Sequence, residues 1–199
     1  MAGTAILIAG ASGSGKTTLA ERIADALDAV LLRTDDYYRP LNHLSYDERF
    51  AVNFDAPESV DGGLLCRHTR ALLNDQEVEK PEYDFLRHTR GSYVRVSPRK
   101  AVVVEGLFAL SYPTLNRQRT LSVFVETDAE VCLQRRIRRD VSERGRTPEE
   151  VVWRFRQHVR PMYLRYVAPC QADADLTVSG ENDSGFASVM GRLGVTSPV

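Results

Sequence analysis

The chain has 199 residues, of which 43% are hydrophobic and 27% are charged, and its formal net charge at pH 7 is −1. This length and composition exclude a disordered polymer and predict one globular domain over residues 1–199. Because the net charge is near zero, no global field draws the protein to nucleic acid or to an anionic membrane, so an anionic ligand must be bound by a local cluster.

Five short apolar runs are the predicted strands. They are Thr4–Ala9, Val30–Leu32, Ala101–Val104, Leu121–Val125 and the weaker Leu176–Val178. A helix is predicted after the first run, because apolar residues recur there at every fourth position (Leu19, Ile23, Leu27). Helical segments separate most of the runs, a pattern typical of an α/β fold with a mainly parallel sheet of about five strands.

Two later segments depart from this alternation. Residues 78–97 alternate polar and apolar side chains around prolines and a glycine, which predicts a hairpin or a long excursion outside the core. Residues 135–146 contain six arginines within twelve positions. A helix start is predicted directly after them, with Thr147 as the cap and Glu150 closing a capping box. The apolar stripe of that helix is Val151, Phe155 and Val159.

The segment Gly10–Thr17 reads GASGSGKT and matches the phosphate-binding pattern GxxxxGK(S/T). It lies between the first predicted strand and the first predicted helix, the context that this motif requires, so a chance glycine-rich turn is a weak alternative. Lys16 would reach the β- and γ-phosphates of a nucleotide, and Thr17 would bind Mg²⁺. The residues predicted to bind ATP here are Gly10, Ser12, Gly13, Ser14, Gly15, Lys16, Thr17 and Thr18. The sequence has no guanine-specific NKxD motif, so ATP is the expected donor, but the loop leaves the acceptor open.

Four further motifs and the arginine segment follow this loop. They are Asp35–Tyr38 (DDYY), Asn53–Pro57 (NFDAP), Pro81–Phe85 (PEYDF) with His88 and Arg90, Val104–Gly106 (VEG), and Arg135–Arg146 (RRIRRDVSERGR). From about Thr4 to about Val178 this series resembles the uridine kinase (uridine–cytidine kinase) family of P-loop kinases. The resemblance implies a three-layer P-loop kinase sandwich with an arginine-rich lid at about 135–147 and an acceptor-side hairpin at about 78–97. It also implies Mg²⁺-assisted transfer of phosphate from ATP to the 5′-hydroxyl of uridine and/or cytidine, and a homo-oligomer.

Two carboxylates and Lys16 are the expected catalytic and metal-binding groups. By resemblance, Asp35 faces the nucleoside 5′-hydroxyl as catalytic base, and orienting that hydroxyl would be as important as removing its proton. The sequence leaves open a helix-capping role for Asp35 and a catalytic role for its neighbour Asp36. Glu105 resembles the family acid that helps to bind Mg²⁺ with Thr17, and a solvated strand end is its alternative.

The resemblance also implies a nucleoside-binding set. Asp55 resembles the carboxylate that accepts hydrogen bonds from both ribose hydroxyls, with a simple turn role as the alternative. Tyr38, Tyr83 and Phe85 resemble the aromatic walls of the base pocket, although single aromatic residues are more often core. His88 resembles the histidine near the 4-position of the pyrimidine, which a neutral imidazole could contact as donor or acceptor; an exposed surface histidine is its alternative.

The lid arginines divide, by resemblance, between the two substrates. Arg136 and Arg146 are expected toward the nucleoside, and Arg139 and Arg144 toward phosphate. Six cations this close would repel one another unless they closed over something strongly anionic, and a triphosphate is such a partner. A nucleic-acid patch is the alternative, against which the neutral overall charge and the neighbouring acidic residues weigh.

Arg154 departs from the family pattern, in which a glutamine at this position contacts the nucleoside. An arginine only donates hydrogen bonds and adds a fixed charge, so the preference between uridine and cytidine stays open. Two rival functions remain at this point. One is a related kinase for another ribosyl acceptor, such as nicotinamide riboside, and the other is a nucleotide-binding regulatory homologue without turnover.

Three widely spaced cysteines, Cys66, Cys132 and Cys170, form no CxxC pair. This pattern indicates neither a disulfide framework nor a zinc site and suits a reducing compartment. The first apolar run is too short for a signal peptide, and no run approaches the roughly 20 apolar residues of a membrane span. We therefore expect a cytoplasmic protein.

Overall fold

The predicted apolar runs form strands in the computed structural model, which describes residues 3–195 apart from the side chains of Phe50 and Ala51. The strands are β1 (Thr4–Gly10), β2 (Ala29–Arg33), β3 (Val78–Asp84), β4 (Thr89–Val96), β5 (Ala101–Glu105), β6 (Leu121–Glu126) and β7 (Leu176–Ser179). Five of them form a sheet in the order β2-β5-β1-β6-β7, and every neighbouring pair is parallel. β3 and β4 form a separate antiparallel hairpin. The predicted sheet and the predicted hairpin are both confirmed, but Val78 and Tyr83 of the hairpin belong to a buried core cluster, so the expectation that this segment lies outside the core is wrong.

Eight α-helical segments are present in the described residues. They are α1 (Lys16–Leu27), α2 (Tyr46–Ala51), α3 (Gly62–Leu73), α4 (Pro113–Asn116), α5 (Ala129–Arg144), α6 (Pro148–Arg154), α7 (Arg160–Met162) and α8 (Ser184–Arg192). A wide π turn at Phe155–Val159 joins α6 to α7, and a second at Tyr163–Val167 extends the helical run beyond α7. Pro161, which has no N–H to donate, lies between these two turns. Within residues 3–195, no helix is long and apolar enough to cross a membrane.

Helices cover both faces of the parallel sheet. On one face, Ile6 of β1 belongs to a core cluster with Ile23 of α1 and Val189 of α8. On the other face, Leu7 of β1 belongs to a cluster with Leu65 of α3. Because both faces of these strands are buried, their sequences are continuous apolar runs instead of alternating ones. The result is the predicted three-layer α/β sandwich.

The segment after α5 is anchored at its far end by the predicted helix cap. The Thr147 hydroxyl accepts the N–H of Glu150 at 3.2 Å. The Glu150 carboxylate, which we expected to close a capping box, instead accepts a hydrogen bond from Arg154 Nε at 2.9 Å. The predicted apolar stripe is buried at Val151, Phe155 and Val159. Its last two residues pack on Leu133, which fixes this helical run against α5.

The carboxyl ends of β1, β2 and β5 lie side by side. Ile8 and Arg33 are both register partners of Glu105 in the sheet. The phosphate-binding loop leaves β1 here, and a short 3₁₀ turn, Thr34–Tyr37, leaves β2. Parallel sheets of this class bind ligands at this edge, so the fold brings three predicted motifs to one place.

Candidate active site

A cavity of about 410 Å³ is lined by residues of the phosphate-binding loop, the hairpin and the arginine segment. Most of the side chains predicted to be functional line it. At the loop end these are Ser12, Lys16, Thr17 and Glu105, and at the acceptor end Asp35, Tyr38, Asp55, Tyr83, Phe85 and His88. Five arginines complete this set: Arg136, Arg139, Arg144, Arg146 and Arg154. Gly10, Gly13 and Ser14 are part of the phosphate-binding loop but are not among the residues that line this cavity. Gly15 of the same loop and Thr18 of α1 line a second cavity.

Two glycines allow the loop to curl. Gly13 and Gly15 have left-handed φ values of 88° and 93°. A Cβ on Gly13 would lie 2.5 Å from the Cys132 carbonyl oxygen, too close for any side chain. α1 begins directly after the loop, so its unpaired N–H groups add positive potential there. Lys16 Nζ donates to the Ala11 carbonyl at 3.4 Å and so lies over the loop. This arrangement can bind a polyphosphate.

Thr17 and Glu105 meet beside the loop, where the Thr17 hydroxyl donates to Glu105 Oε1 at 3.2 Å. Glu105 is 5% exposed, and its Oε2 has no hydrogen-bond partner among the described residues. Burial raises the pKa of Glu105, and the nearby Lys16 ammonium partly opposes that rise. A buried carboxylate oxygen without a partner, next to a hydroxyl, fits a Mg²⁺ ion whose other ligands are phosphates and water. In the range 3–195, no group of three or more His, Cys, Asp or Glu residues could hold a metal alone.

The structure separates the two candidate catalytic carboxylates. Asp35 lies in the 3₁₀ turn after β2 and lines the cavity. Asp36 accepts a hydrogen bond from Lys80 Nζ of the hairpin at 2.6 Å. The N-cap of the turn is Arg33, so the helix-capping alternative for Asp35 is not supported. Asp35 therefore lines the cavity, whereas Asp36 is paired with the hairpin.

Four rings form the acceptor wall. The Tyr38 ring meets those of Phe54 and Tyr83 edge to face, at 5.2 Å and 5.1 Å between centroids. The His88 ring stacks on Phe54 at 5.4 Å. His88 is 8% exposed, so the exposed-surface alternative for this residue is wrong. Burial lowers the pKa of His88, and the charges of nearby arginines lower it further, so the neutral imidazole is favoured. Phe54 was missed because a lone aromatic residue usually predicts core.

Asp55 and Phe85 connect this wall to the arginine segment. The Asp55 carboxylate lies 4.0 Å from Arg136 Nη1, with 18% of its side chain exposed. Burial raises the pKa of Asp55, and the Arg136 charge opposes that rise. The Arg144 guanidinium lies over the Phe85 ring, 4.6 Å from its centroid. Both acceptor-side residues are therefore placed by contacts with predicted lid arginines.

The arginine segment already contains an anion, which the sequence analysis did not anticipate. Asp140 is fully buried, and its carboxylate forms ion pairs with four of the arginines. The partners are Arg136 at 3.4 Å, Arg139 at 2.8 Å, Arg144 at 3.6 Å and Arg146 at 3.3 Å. The expectation that these cations need an external anion is corrected accordingly. The i, i+4 spacing of Arg136, Asp140 and Arg144 was a visible signal for such pairing.

Neighbouring arginines of α5 have different environments. Arg136 Nη1 donates to the Ser12 hydroxyl of the phosphate-binding loop at 2.8 Å. Arg136 therefore contacts the phosphate-binding loop as well as the Asp55 carboxylate, whereas it was expected only toward the nucleoside. Arg135 donates to the Gly180 carbonyl at 2.9 Å, in the loop after β7. Arg154 lines the cavity, and its Nε donates to Glu150 Oε1 at 2.9 Å.

A second cavity, of about 360 Å³, borders the phosphate-binding loop at Gly15. It is lined by Gly15 and Thr18, by Arg135, and by the loop that follows β7. Phe186 is the aromatic residue of its lining, and the Arg22 guanidinium carbon lies 4.6 Å from the centroid of the Phe186 ring. No local pattern predicts this cavity, because its walls are more than half the chain apart in sequence.

The chain resembles known kinases in sequence and in fold. A family model described as the phosphoribulokinase/uridine kinase family matches residues 5–184. A uridine kinase from Shewanella piezotolerans is 41% identical over 181 residues, which cover 87% of this chain and 85% of that protein. A uridine kinase from Shewanella halifaxensis is 40% identical over 179 residues, covering 86% and 84% of the two chains.

Solved structures confirm the fold class. Phosphoribulokinase from Rhodobacter spheroides superposes with a TM-score of 0.66 at 16% identity, over 93% of this chain and 74% of that chain. D-glycerate 3-kinase from Cryptococcus neoformans superposes with a TM-score of 0.63 at 16% identity, over 91% and 87% of the two chains.

Proposed function

The chain belongs to the phosphoribulokinase/uridine kinase family, and we propose that it transfers the γ-phosphate of ATP to the 5′-hydroxyl of uridine, with cytidine as a second acceptor. One observation carries the proposal: a single cavity is lined by Lys16 of the glycine-rich loop, by the Asp35 carboxylate and by an aromatic wall that contains His88. The relatives named uridine kinase do not favour an acceptor such as nicotinamide riboside or a regulatory homologue without turnover.

The donor occupies the loop side of the site in this proposal. The backbone N–H groups of the loop and Lys16 bind the phosphates, and the second cavity, which Arg135 and Phe186 line, takes the adenine. Thr17 and Glu105 would hold Mg²⁺, which neutralises phosphate charge when bound. Phosphoryl transfer has a loose transition state, so these residues contribute charge stabilisation and positioning.

The acceptor occupies the hairpin side. Asp35 accepts a hydrogen bond from the 5′-hydroxyl, aligns it for in-line attack and takes its proton. Asp55 accepts hydrogen bonds from the ribose hydroxyls, while Tyr38 and Tyr83 enclose the base. His88 contacts the 4-position of the pyrimidine through whichever ring nitrogen has the required proton. Arg139 and Arg144 contact the phosphates, and Arg136 and Arg146 the nucleoside side.

The assembly and location of the enzyme are also proposals. The family resemblance supports a homo-oligomer, and the widely spaced cysteines support a cytoplasmic location.

A panel of acceptors tests the function. Uridine, cytidine, 2′-deoxyuridine and nicotinamide riboside are each incubated with ATP and Mg²⁺, and ADP release and product mass are recorded. We expect UMP and CMP as products. The kcat/KM for 2′-deoxyuridine should be lower by about 5- to 150-fold, or about 1–3 kcal/mol in activation free energy, because Asp55 loses a hydrogen-bond donor. Lys16→Ala, expected to lose about 10²-fold or more in kcat, controls for contaminating kinases. Preferred turnover of nicotinamide riboside, or no nucleoside turnover, would contradict the proposal.

A further inference from the structure

Asp140 lies at the centre of the arginine segment, yet no motif assigned it a function. It is fully buried, and its two carboxylate oxygens share four guanidinium partners. Arg139 makes the closest contacts, donating through Nε at 2.9 Å and through Nη2 at 2.8 Å. Each of the four arginines also lines the main cavity. One buried carboxylate therefore connects all of the lid cations at the site.

Four cations around one anion leave an excess of positive charge in a poorly solvated place. Burial reduces screening, so the guanidinium groups would repel one another without Asp140. Burial alone would raise the pKa of Asp140, but the charges of Arg136, Arg139 and Arg144 hold it below its usual range. The carboxylate is thus charged over the physiological range and acts as an internal counterion.

Two of the arginines have a second carboxylate partner. Arg136 Nη1 lies 4.0 Å from Asp55, and it also contacts the phosphate-binding loop through Ser12. Arg146 Nε lies 3.8 Å from Glu150 of α6. These two side chains would keep an ionic partner even if their contact with Asp140 were broken.

The other two arginines depend on Asp140 more strongly. Among residues 3–195, Asp140 is the only carboxylate in ion-pair contact with Arg139 or Arg144. Their side chains are 33% and 22% exposed, and both line the cavity that contains Lys16. Both guanidinium groups are therefore partly accessible to an anion in the cavity.

We propose that Asp140 is a positioning residue, which keeps the lid arginines assembled in the empty site and releases Arg139 and Arg144 to the phosphates when ATP binds. The exchange replaces a carboxylate by a more highly charged anion, so the arginines never lack an ionic partner. Arg136 and Arg146 stay with Asp140 and keep the segment in place. The site is thereby preorganised for phosphate, which lowers the cost of binding.

The first test measures binding of AMP-PNP, a non-hydrolysable ATP analogue, by calorimetry. Asp140→Asn is expected to raise its Kd by about 10- to 100-fold, the usual effect of losing a group that orients direct ligands. The KM for uridine is expected to change less. Glu143→Gln removes the same charge from an exposed position of α5 and is expected to stay within about twofold of wild type. A Kd for Asp140→Asn that equals the Glu143→Gln value would overturn the proposal.

The second test distinguishes a counterion from a merely structural group. Sulfate can take the place of the missing carboxylate, so it should raise the Tm of Asp140→Asn more than that of wild type, compared with chloride at equal ionic strength. Asp140→Glu retains the charge and should recover most of the AMP-PNP affinity. If Asp140→Asn does not fold in chloride, the proposal requires sulfate to restore folding, and failure of that rescue would overturn it.

Because the proposal rests on the proposed ATP site, its failure must be distinguishable from failure of the proposed function. AMP-PNP binding needs no acceptor, so it tests the role of Asp140 independently of nucleoside phosphorylation. Wild-type protein that binds AMP-PNP but phosphorylates no nucleoside would refute the acceptor assignment alone.

Discussion

Glu105 combines deep burial with a carboxylate oxygen that has no hydrogen-bond partner among the described residues. Burial raises its pKa, so the charged form is less stable in the empty site than in the unfolded chain. We expect Glu105→Gln to raise the Tm at neutral pH by about 2–4 °C, or about 1 kcal/mol at this chain length. Kinase activity should fall by about 10²-fold or more, because an amide is a poor Mg²⁺ ligand. Thermal melts without ligand and steady-state kinetics check both parts; a lower Tm would contradict the argument.

Asp35 and Asp36 are adjacent but have different contacts, so substituting one should affect catalysis and substituting the other should affect stability. We expect Asp35→Asn to lower kcat by about 10²- to 10⁴-fold with a smaller change in nucleoside KM, because the amide cannot accept the hydroxyl proton. Asp36→Asn should mainly lower stability, since it weakens the 2.6 Å ion pair with Lys80. Kinetics and urea unfolding of both variants decide the assignment. A larger loss of kcat in Asp36→Asn would move the catalytic role to that residue.

Arg154 lines the same cavity as His88, and its charge lowers the pKa of the His88 imidazole. Because arginine only donates hydrogen bonds, we expect it to favour the 4-oxo group of uridine over the 4-amino group of cytidine. Arg154→Gln should shift the ratio of kcat/KM values toward cytidine by about 5- to 150-fold, or about 1–3 kcal/mol in relative activation free energy. Competition between the two nucleosides measures the ratio, with the exposed Arg156→Gln as a matched control. An unchanged ratio would place Arg154 away from the base.

At the scale of elements, the hairpin and the catalytic turn form one connected unit. Arg90 of β4 donates to the carbonyl oxygens of Tyr38 and Tyr37 at 2.9 Å and 3.2 Å. Lys80 of β3 pairs with Asp36 of the turn. Contacts from both hairpin strands therefore hold the segment that carries Asp35, although the hairpin lies outside the main sheet.

Arg90→Met tests this connection. Without the two hydrogen bonds the hairpin should be less well positioned, so we expect the KM for uridine to rise by about 10-fold while the KM for ATP changes little. Arg95→Met on the same strand is the matched control, because that side chain is 75% exposed. Equal kinetics for the two variants would show that the hairpin is positioned by other contacts.

At the scale of the whole molecule, the buried lid cluster should govern acid stability. The arginines hold the pKa of Asp140 below its unfolded value, so its contribution to stability is present above about pH 4 and is lost as pH falls through the folded pKa. We expect the free energy of unfolding to fall below about pH 4 in wild type and more gently in Asp140→Asn. Urea unfolding at a series of pH values checks this, and Glu143→Gln should follow wild type. If the free energy of unfolding falls with pH in the same way for all three proteins, Asp140 does not govern acid stability.

Local patterns in the sequence were sufficient for the sheet, the phosphate-binding loop and the Thr147 cap. Each of these depends on neighbours within a few residues, such as an apolar run, a glycine spacing or a hydroxyl three positions before its N–H partner. The family resemblance added the acceptor motifs, and the structure brings them to one cavity. Local patterns could not separate Asp35 from Asp36, because both follow the same strand; only the resemblance favoured Asp35.

Tertiary structure alone decided the contacts between segments far apart in the chain. Lys80 and Asp36 are 44 residues apart, and Arg136 and Ser12 are 124 residues apart. No local pattern specifies such pairs, because they depend on how the hairpin and α5 pack at the sheet edge. The burial of Asp140 also follows from packing, since a carboxylate with arginines one turn away has the same sequence on an exposed helix as in a closed site. Sequence determined which groups the site contains, and packing determined which of them are charged partners.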